Sequence, residues 1–102
     1  MIRNVTAEEA LRAVGDTVLL DVREQWEFDI VHLPGATLIP LSSIPFRLKE
    51  VPADKTIIVY CHTGVRSQQA CMFLQDKGWQ EVFNLEGGID ACSAIDESLE
   101  KY

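Results

Sequence analysis

Two stretches of the chain, Thr17-Val-Leu-Leu-Asp21 and Thr56-Ile-Ile-Val-Tyr60, are continuous β-branched and aliphatic runs in which apolar and polar positions do not alternate. A strand with one wet face alternates, so such runs are expected of strands buried on both faces, as in a parallel sheet covered by helices. The segments around them read as helices and turns. In Thr6-Ala-Glu-Glu9 the Thr6 hydroxyl can accept from the third helical amide while Glu9 reaches back, which predicts a helix from Ala7 to about Val14 stopped by Gly15. Glu24 to Ile30 fits a short helix, and His32-Leu-Pro-Gly-Ala36 turns the chain into a short strand, Thr37-Leu-Ile39, ended by Pro40. Ser42 or Ser43 is a candidate cap for a helix with Pro45 in its first turn, running to about Glu50. Ser67 to Lys77 places Ala70, Phe73 and Leu74 on one helical face, with Gly78 as the stop. Val82-Phe-Asn-Leu85 is a last strand, Gly87-Gly88 a turn, and Ile89 to about Ile95 a short helix. Strands alternating with helices imply parallel crossovers and an α/β fold with helices on both faces of a parallel sheet.

With 102 residues, 47% of them hydrophobic, the chain is expected to form one domain over 1–102 around one core. Nine Lys and Arg against sixteen Asp and Glu give a net charge of −7, which argues against sequence-independent binding to nucleic acid or anionic lipid. Small molecules or other proteins are the expected partners. The apolar stretches are too short to span a bilayer, and the N-terminus, Met1-Ile-Arg-Asn-Val-Thr, does not read as a signal peptide. Three cysteines without a Cys-x-x-Cys pair suggest neither a disulfide scaffold nor a structural zinc site, so a cytoplasmic protein without a metal is expected.

Chemistry concentrates where the second apolar run ends. In an open α/β sheet, ligands bind beyond the carboxyl ends of the strands, and the strand Thr56 to Tyr60 delivers Cys61 there. The segment Cys61-His-Thr-Gly-Val-Arg66 joins it to a helix, so backbone amides and the positive end of the helix dipole can converge on the sulfur. Gly64 permits the tight curl, and Arg66 adds a permanent charge that favours a nucleophilic thiolate. Against this stands a plain reading, with Cys61 as a small buried residue and Arg66 as a solvated one. The position at a strand-to-helix turn favours chemistry.

Three segments together resemble the rhodanese-like sulfurtransferase family over nearly the whole chain: Leu19-Leu-Asp-Val-Arg23-Glu24 with His32-Leu-Pro-Gly-Ala36, Val59-Tyr-Cys61-His-Thr-Gly-Val-Arg66-Ser67, and Asn84-Leu-Glu-Gly-Gly-Ile-Asp-Ala91. The resemblance implies a rhodanese-like fold with a central parallel sheet of about five short strands flanked by helices on both faces. It aligns Cys61 with the catalytic cysteine that opens a six-residue loop, takes a sulfane sulfur from a donor such as thiosulfate, and passes it from a persulfide to a thiophilic acceptor such as cyanide or a thiol. His62, Thr63, Gly64, Val65 and Arg66 would then bind substrate chiefly through their amides, with Arg66 attracting the donor anion. No organic cofactor is implied. A sulfur-relay or interaction module serving an acceptor protein is the alternative. Phosphatase or arsenate reductase chemistry fits less well, because related enzymes place the arginine one residue later, where this chain has Ser67.

Other residues carry structural expectations. Asp21 and Arg23, at the end of the first run, are expected to form a loop-supporting network rather than to act on substrate. His32 is expected to be a hydrogen-bonded turn histidine, and His62 to face solvent and tune donor access. Cys71 suggests an inert core thiol. Cys92 stands where this family typically has tryptophan, a loss that Trp79 or Trp26 could fill; a resolving thiol for Cys61 is the sharper alternative to a simple packing change.

Overall fold

In a computed structural model, which describes residues 2–13 and 15–102, the chain forms a five-stranded parallel sheet with strand order β1-β5-β4-β2-β3. The strands are β1 (Arg3–Val5), β2 (Thr17–Asp21), β3 (Thr37–Leu38), β4 (Thr56–Tyr60) and β5 (Val82–Leu85). The helices are α1 (Ala7–Leu11), α2 (Gln25–Ile30), α3 (Val65–Asp76) and α4 (Gly88–Ile95). The two non-alternating runs are neighbours, paired from Thr17 with Thr56 to Asp21 with Tyr60. β4 lies at the centre of the sheet, which is why Ile57, Ile58, Val59 and Tyr60 are all buried.

Apolar side chains from the two faces of the sheet collect into two clusters. One holds Leu20, Val22, Ile57, Val59, Cys61, Ala70, Cys71 and Leu74; the other holds Ile58, Tyr60, Leu85, Ile89 and Cys92. The alternation of β4 residues between the clusters follows from the two-residue period of a strand and confirms that helices cover both faces.

Several local expectations hold and others shift. The capping box is formed, with Glu9 N donating to Thr6 Oγ1 at 3.1 Å and Thr6 N donating to Glu9 Oε1 at 3.0 Å. α1 is shorter than the pattern suggested, ending at Leu11, and Val14 lies outside the described residues. The helix expected from Ser42 or Ser43 is instead two 3₁₀ segments, Leu41–Phe46 and Leu48–Glu50, with Pro40 at the cap position. Pro45 explains the change: it is the fifth helical residue and has no N–H to donate back to Leu41, as an α-helix requires. β1 was not among the strands read from the sequence; it pairs with β5 at the sheet edge, Arg3 opposite Phe83. No helix among the described residues is long and apolar enough to cross a membrane.

Candidate active site

Cys61 follows β4 directly and α3 begins at Val65, two residues earlier than expected, so Val65, Arg66 and Ser67 form the first helical turn. That turn has amides without intrahelical partners, and the loop curls to aim donors at the sulfur. Gly64 N donates to Cys61 Sγ at 3.0 Å, and the Ser67 hydroxyl lies 3.4 Å from the same sulfur. Gly64 makes the curl possible with φ of +107°, a conformation that other residues rarely adopt.

The sulfur is buried, which opposes ionisation. The Ser67 hydroxyl and the amides of Ser67, Gly64 and Thr63 outweigh that effect and hold the Cys61 thiol below its usual range. The other two thiols behave oppositely. Burial, helped by the charge at Cys61, pushes Cys71 up to about 12, and burial, helped by Asp96, pushes Cys92 up to about 11. All three are free, and Cys61 and Cys92 sit in clusters on opposite faces of the sheet, a placement that does not suit a resolving role for Cys92. Neither tryptophan fills the space beside Cys92: Trp79 packs on the other cluster and Trp26 is exposed, whereas Tyr102 packs against the cluster that holds Cys92.

α4 closes the back of the loop. Ile89 N donates to the Cys61 carbonyl at 2.9 Å and Asp90 N to the His62 carbonyl at 3.0 Å. Gly88 allows this approach: a Cβ there would meet the Cys61 carbonyl oxygen at 2.6 Å and lie closer still to that of His62. Asn84, projecting from β5, ties the front together. Its amide accepts from Ser67 Oγ at 2.5 Å and donates to the Gly64 carbonyl at 3.3 Å.

The arginines have carboxylate partners. Arg66 makes a two-pronged pair with Glu27 of α2, Nη1 to Oε1 at 2.7 Å and Nη2 to Oε2 at 2.8 Å. Hydrogen bonding from Arg66 draws Glu27, which is only 3% exposed, down to about 2 despite its burial. The guanidinium expected to attract the donor therefore already has a permanent counter-ion. Arg23 and Asp21, both fully buried, pair through Nε to Oδ1 at 3.0 Å and Nη2 to Oδ2 at 2.7 Å, and Arg23 Nη2 also donates to the Val31 carbonyl at 2.6 Å. This joins the end of β2 to the end of α2. The Tyr102 hydroxyl bridges the two pairs, accepting from Arg23 Nη1 and donating to Glu27 Oε2, each at 2.8 Å.

His62 is half-buried rather than free in solvent: its ring stacks on Tyr102 with centroids 4.1 Å apart. Thr63 and Val65 point outward, while His32 stacks on Phe28 and its Nδ1 lies 2.8 Å from the Phe28 carbonyl. Ser67, Asn84, Glu27 and Tyr102 were not assigned site roles from the sequence. A polar Asn84 inside an apolar strand and Glu27 three residues after Glu24 were available signals; nothing local marked Tyr102.

Residues 6–95 match the rhodanese-like domain, and the chain belongs to that family. It is 36% identical over 94 residues to a sulfurtransferase of Allochromatium vinosum, covering 89% of this chain and 88% of that protein. It is 30% identical over 87 residues to the thiosulfate sulfurtransferase GlpE of Pseudoalteromonas translucida, covering 84% and 83% respectively. The crystal structure of a rhodanese-related protein from Thermoplasma volcanium superposes with a TM-score of 0.84 at 29% identity, over 90% of this chain and 91% of that one. Sulfur transfer is thus supported at the level of the family.

Proposed function

We propose that the protein is a sulfurtransferase that carries a sulfane sulfur as a Cys61 persulfide, within a single domain and in a reducing, cytoplasmic setting. The observation that carries this reading is the cradle itself: a buried sulfur at the end of the central strand, met by the Gly64 amide at 3.0 Å and the Ser67 hydroxyl at 3.4 Å. The Cys61 thiolate attacks the outer sulfur of the donor, a new S–S bond forms, and the donor's own bond to that sulfur breaks. Thiosulfate leaves as sulfite and a persulfide donor as its thiol. The transferred sulfur stays as an anion among amide donors fixed before it arrives, as an oxyanion hole fixes its donors. An acceptor nucleophile then takes the outer sulfur and restores the thiolate; cyanide becomes thiocyanate and a thiol becomes a persulfide. No side-chain base is needed, because Cys61 enters ionised and leaves ionised.

Residue roles follow from placement. Cys61 is the nucleophile, and the main chain of His62, Thr63, Gly64, Val65 and Arg66 forms the cradle. Asp21 and Arg23 support the loop from β2. A six-residue span from Cys61 to Arg66 favours sulfur over a tetrahedral oxyanion. The test is steady-state transfer from thiosulfate or a persulfide to cyanide and to a thiol, with Cys61→Ser beside the parent. Double-displacement kinetics lost in Cys61→Ser support the reading; transfer that survives that substitution refutes it. Release accelerated by one protein far beyond cyanide or thiol would identify the acceptor as a relay partner.

A further inference from the structure

Asn84 lies on β5, outside the loop, and the proposed chemistry gives it no part, yet its side chain touches the cradle at two points. Its orientation follows from what it faces. The Gly64 carbonyl, which can only accept, is 3.3 Å from one end of the carboxamide, so that end is the nitrogen; the same nitrogen lies 3.3 Å from Asn4 Oδ1. The other end, 2.5 Å from Ser67 Oγ, is therefore the carbonyl oxygen. A carbonyl oxygen only accepts as well, so the bond between them uses the single hydroxyl proton of Ser67. Asn84 is 6% exposed, Ser67 is fully buried, and Ser67 is the donor that reaches this oxygen among the described residues. The hydroxyl's other neighbour is Cys61 Sγ at 3.4 Å, so one proton faces two acceptors.

The charge at Sγ decides which acceptor holds it. A neutral sulfur is a weak acceptor, and the proton belongs to Asn84; a thiolate is a strong one and draws the proton away, leaving a buried amide oxygen unpaired. Sulfur loading reverses this. Sγ becomes the inner, uncharged sulfur of Cys61–S–S⁻, the negative charge moves to the outer atom about 2 Å further on, and the proton returns to Asn84. Asn84 therefore opposes the thiolate and leaves the persulfide unpenalised. The titratable groups that couple to the charge at Cys61 are Arg66 and Cys71, both on α3. Arg66 is held by Glu27, His62 is turned onto Tyr102, and Asp90 of α4 is exposed and meets the loop through its amide. β1 and β5 contribute the neutral carboxamides of Asn4 and Asn84. Among the described residues none of the titratable groups other than Cys61 itself bonds to the side chain of Ser67 or Asn84.

Resting on the Cys61 persulfide reading, we propose that Asn84 is a positioning residue that shifts Cys61 towards its sulfur-loaded state by claiming the Ser67 proton whenever Sγ is uncharged. The transfer step keeps its balance. With thiosulfate as donor, one S–S bond forms to Cys61 as the bond to the departing sulfite breaks, and the Ser67 proton turns from one hydrogen bond to the other without leaving its oxygen.

The experiment measures two equilibria in the parent, Asn84→Leu, Ser67→Ala and the double variant. One is the Cys61 ionisation midpoint, from thiolate absorbance taken as a difference from Cys61→Ser. The other is the ratio of loaded to unloaded protein, from intact mass in fixed mixtures of thiosulfate and sulfite at a pH above all midpoints. Leucine keeps a branched side chain at position 84 and removes the acceptor. Asn84→Leu is expected to lower the midpoint by about half a unit to one unit and to lower the loading equilibrium constant by about three- to tenfold. Both changes are expected to vanish when the substitution is made in Ser67→Ala. A cradle merely loosened by loss of the Gly64 contact would raise the midpoint instead. An unchanged or raised midpoint in Asn84→Leu therefore overturns the proposal, and so does an equal change in the Ser67→Ala background. If Asn84→Leu fails to fold, the carbon-13 shift of the Asn84 side-chain carbonyl decides: it is expected to move with the Cys61 midpoint in the parent, to return on loading, and to stay still in Ser67→Ala. A shift that ignores the state of Cys61 overturns the proposal. Failure of the parent to load from thiosulfate and from cysteine persulfide refutes the persulfide reading and this proposal with it, whereas equal loading of the parent and a folded Asn84→Leu refutes the role of Asn84 alone.

Discussion

Ser67→Ala removes a side-chain hydroxyl that hydrogen-bonds the nucleophile. The hydroxyl lies 3.4 Å from Cys61 Sγ and 2.5 Å from Asn84 Oδ1, and it has one proton to share between them. With Cys61 protonated, donation to Asn84 satisfies the buried amide; with Cys61 ionised, the charge competes for that proton. A hydrogen bond to a charged group contributes about 1.5–3 kcal/mol, and giving up a neutral one costs about 0.5–1.5 kcal/mol. The difference favours the thiolate by about 1–1.5 kcal/mol, close to one pKa unit at about 1.4 kcal/mol per unit. The Gly64, Thr63 and Ser67 amides remain in the variant, so the shift is confined to the hydroxyl's share. Titration of the thiolate's ultraviolet absorbance, taken as a difference from Cys61→Ser, is expected to show the Cys61 midpoint rising by about one unit in Ser67→Ala. Sulfur loading at a pH below both midpoints should fall by about tenfold in parallel. An unchanged midpoint would refute the hydroxyl's role and leave the backbone cradle alone responsible for ionisation.

Other substitutions test the supports. Tyr102→Phe keeps the ring over His62 but removes both hydrogen bonds of the hydroxyl, leaving a buried Arg23 donor unpaired; a loss of about 1–3 kcal/mol in denaturant unfolding is expected, and no loss would mean that the bridge carries no energy. Gly88→Ala places a Cβ 2.6 Å from the Cys61 carbonyl oxygen at a φ of +62°, so at least about 2 kcal/mol of destabilisation and loss of sulfur loading are expected from unfolding curves and intact mass; a stable, loading variant would contradict the α4 docking described above. Glu27 sits below its unfolded value of 4.5, at about 2, so its pairing contributes stability that is fully present above pH 4.5 and lost as the pH falls towards 2. That contribution is about 3 kcal/mol, and unfolding of the parent and Glu27→Gln followed across this window should converge as the pH falls; parallel curves would refute it.

The parts of the fold written in continuous apolar runs were legible because burial on both faces leaves no freedom in residue type. β2 and β4 end where the runs end, at Asp21 and Tyr60. β1 was not legible, since Arg3-Asn-Val5 is three mostly exposed residues whose strand character comes from pairing with β5. The segment from Leu41 to Glu50 misled because Pro45 suits an early helical turn but fell at the fifth position once the helix began at Leu41. At the site, Cys61 could be placed from strand topology and loop chemistry, both local in sequence. The pairing of Arg66 with Glu27, 39 residues away, and the bridging by Tyr102, 75 residues from Glu27, are tertiary facts with no local signature. The sequence offers Arg66 as a cation beside the loop, and the fold adds the partner that holds it, Glu27.

The central claim is that Cys61 alone accepts and holds a sulfane sulfur. Intact mass of the reduced protein after exposure to cysteine persulfide and then to cyanide, with Cys61→Ser in parallel, tests it most directly. One added sulfur on the parent, absent from Cys61→Ser and removed by cyanide as thiocyanate, is the predicted result. Equal sulfur addition in Cys61→Ser, or none in the parent, would contradict it.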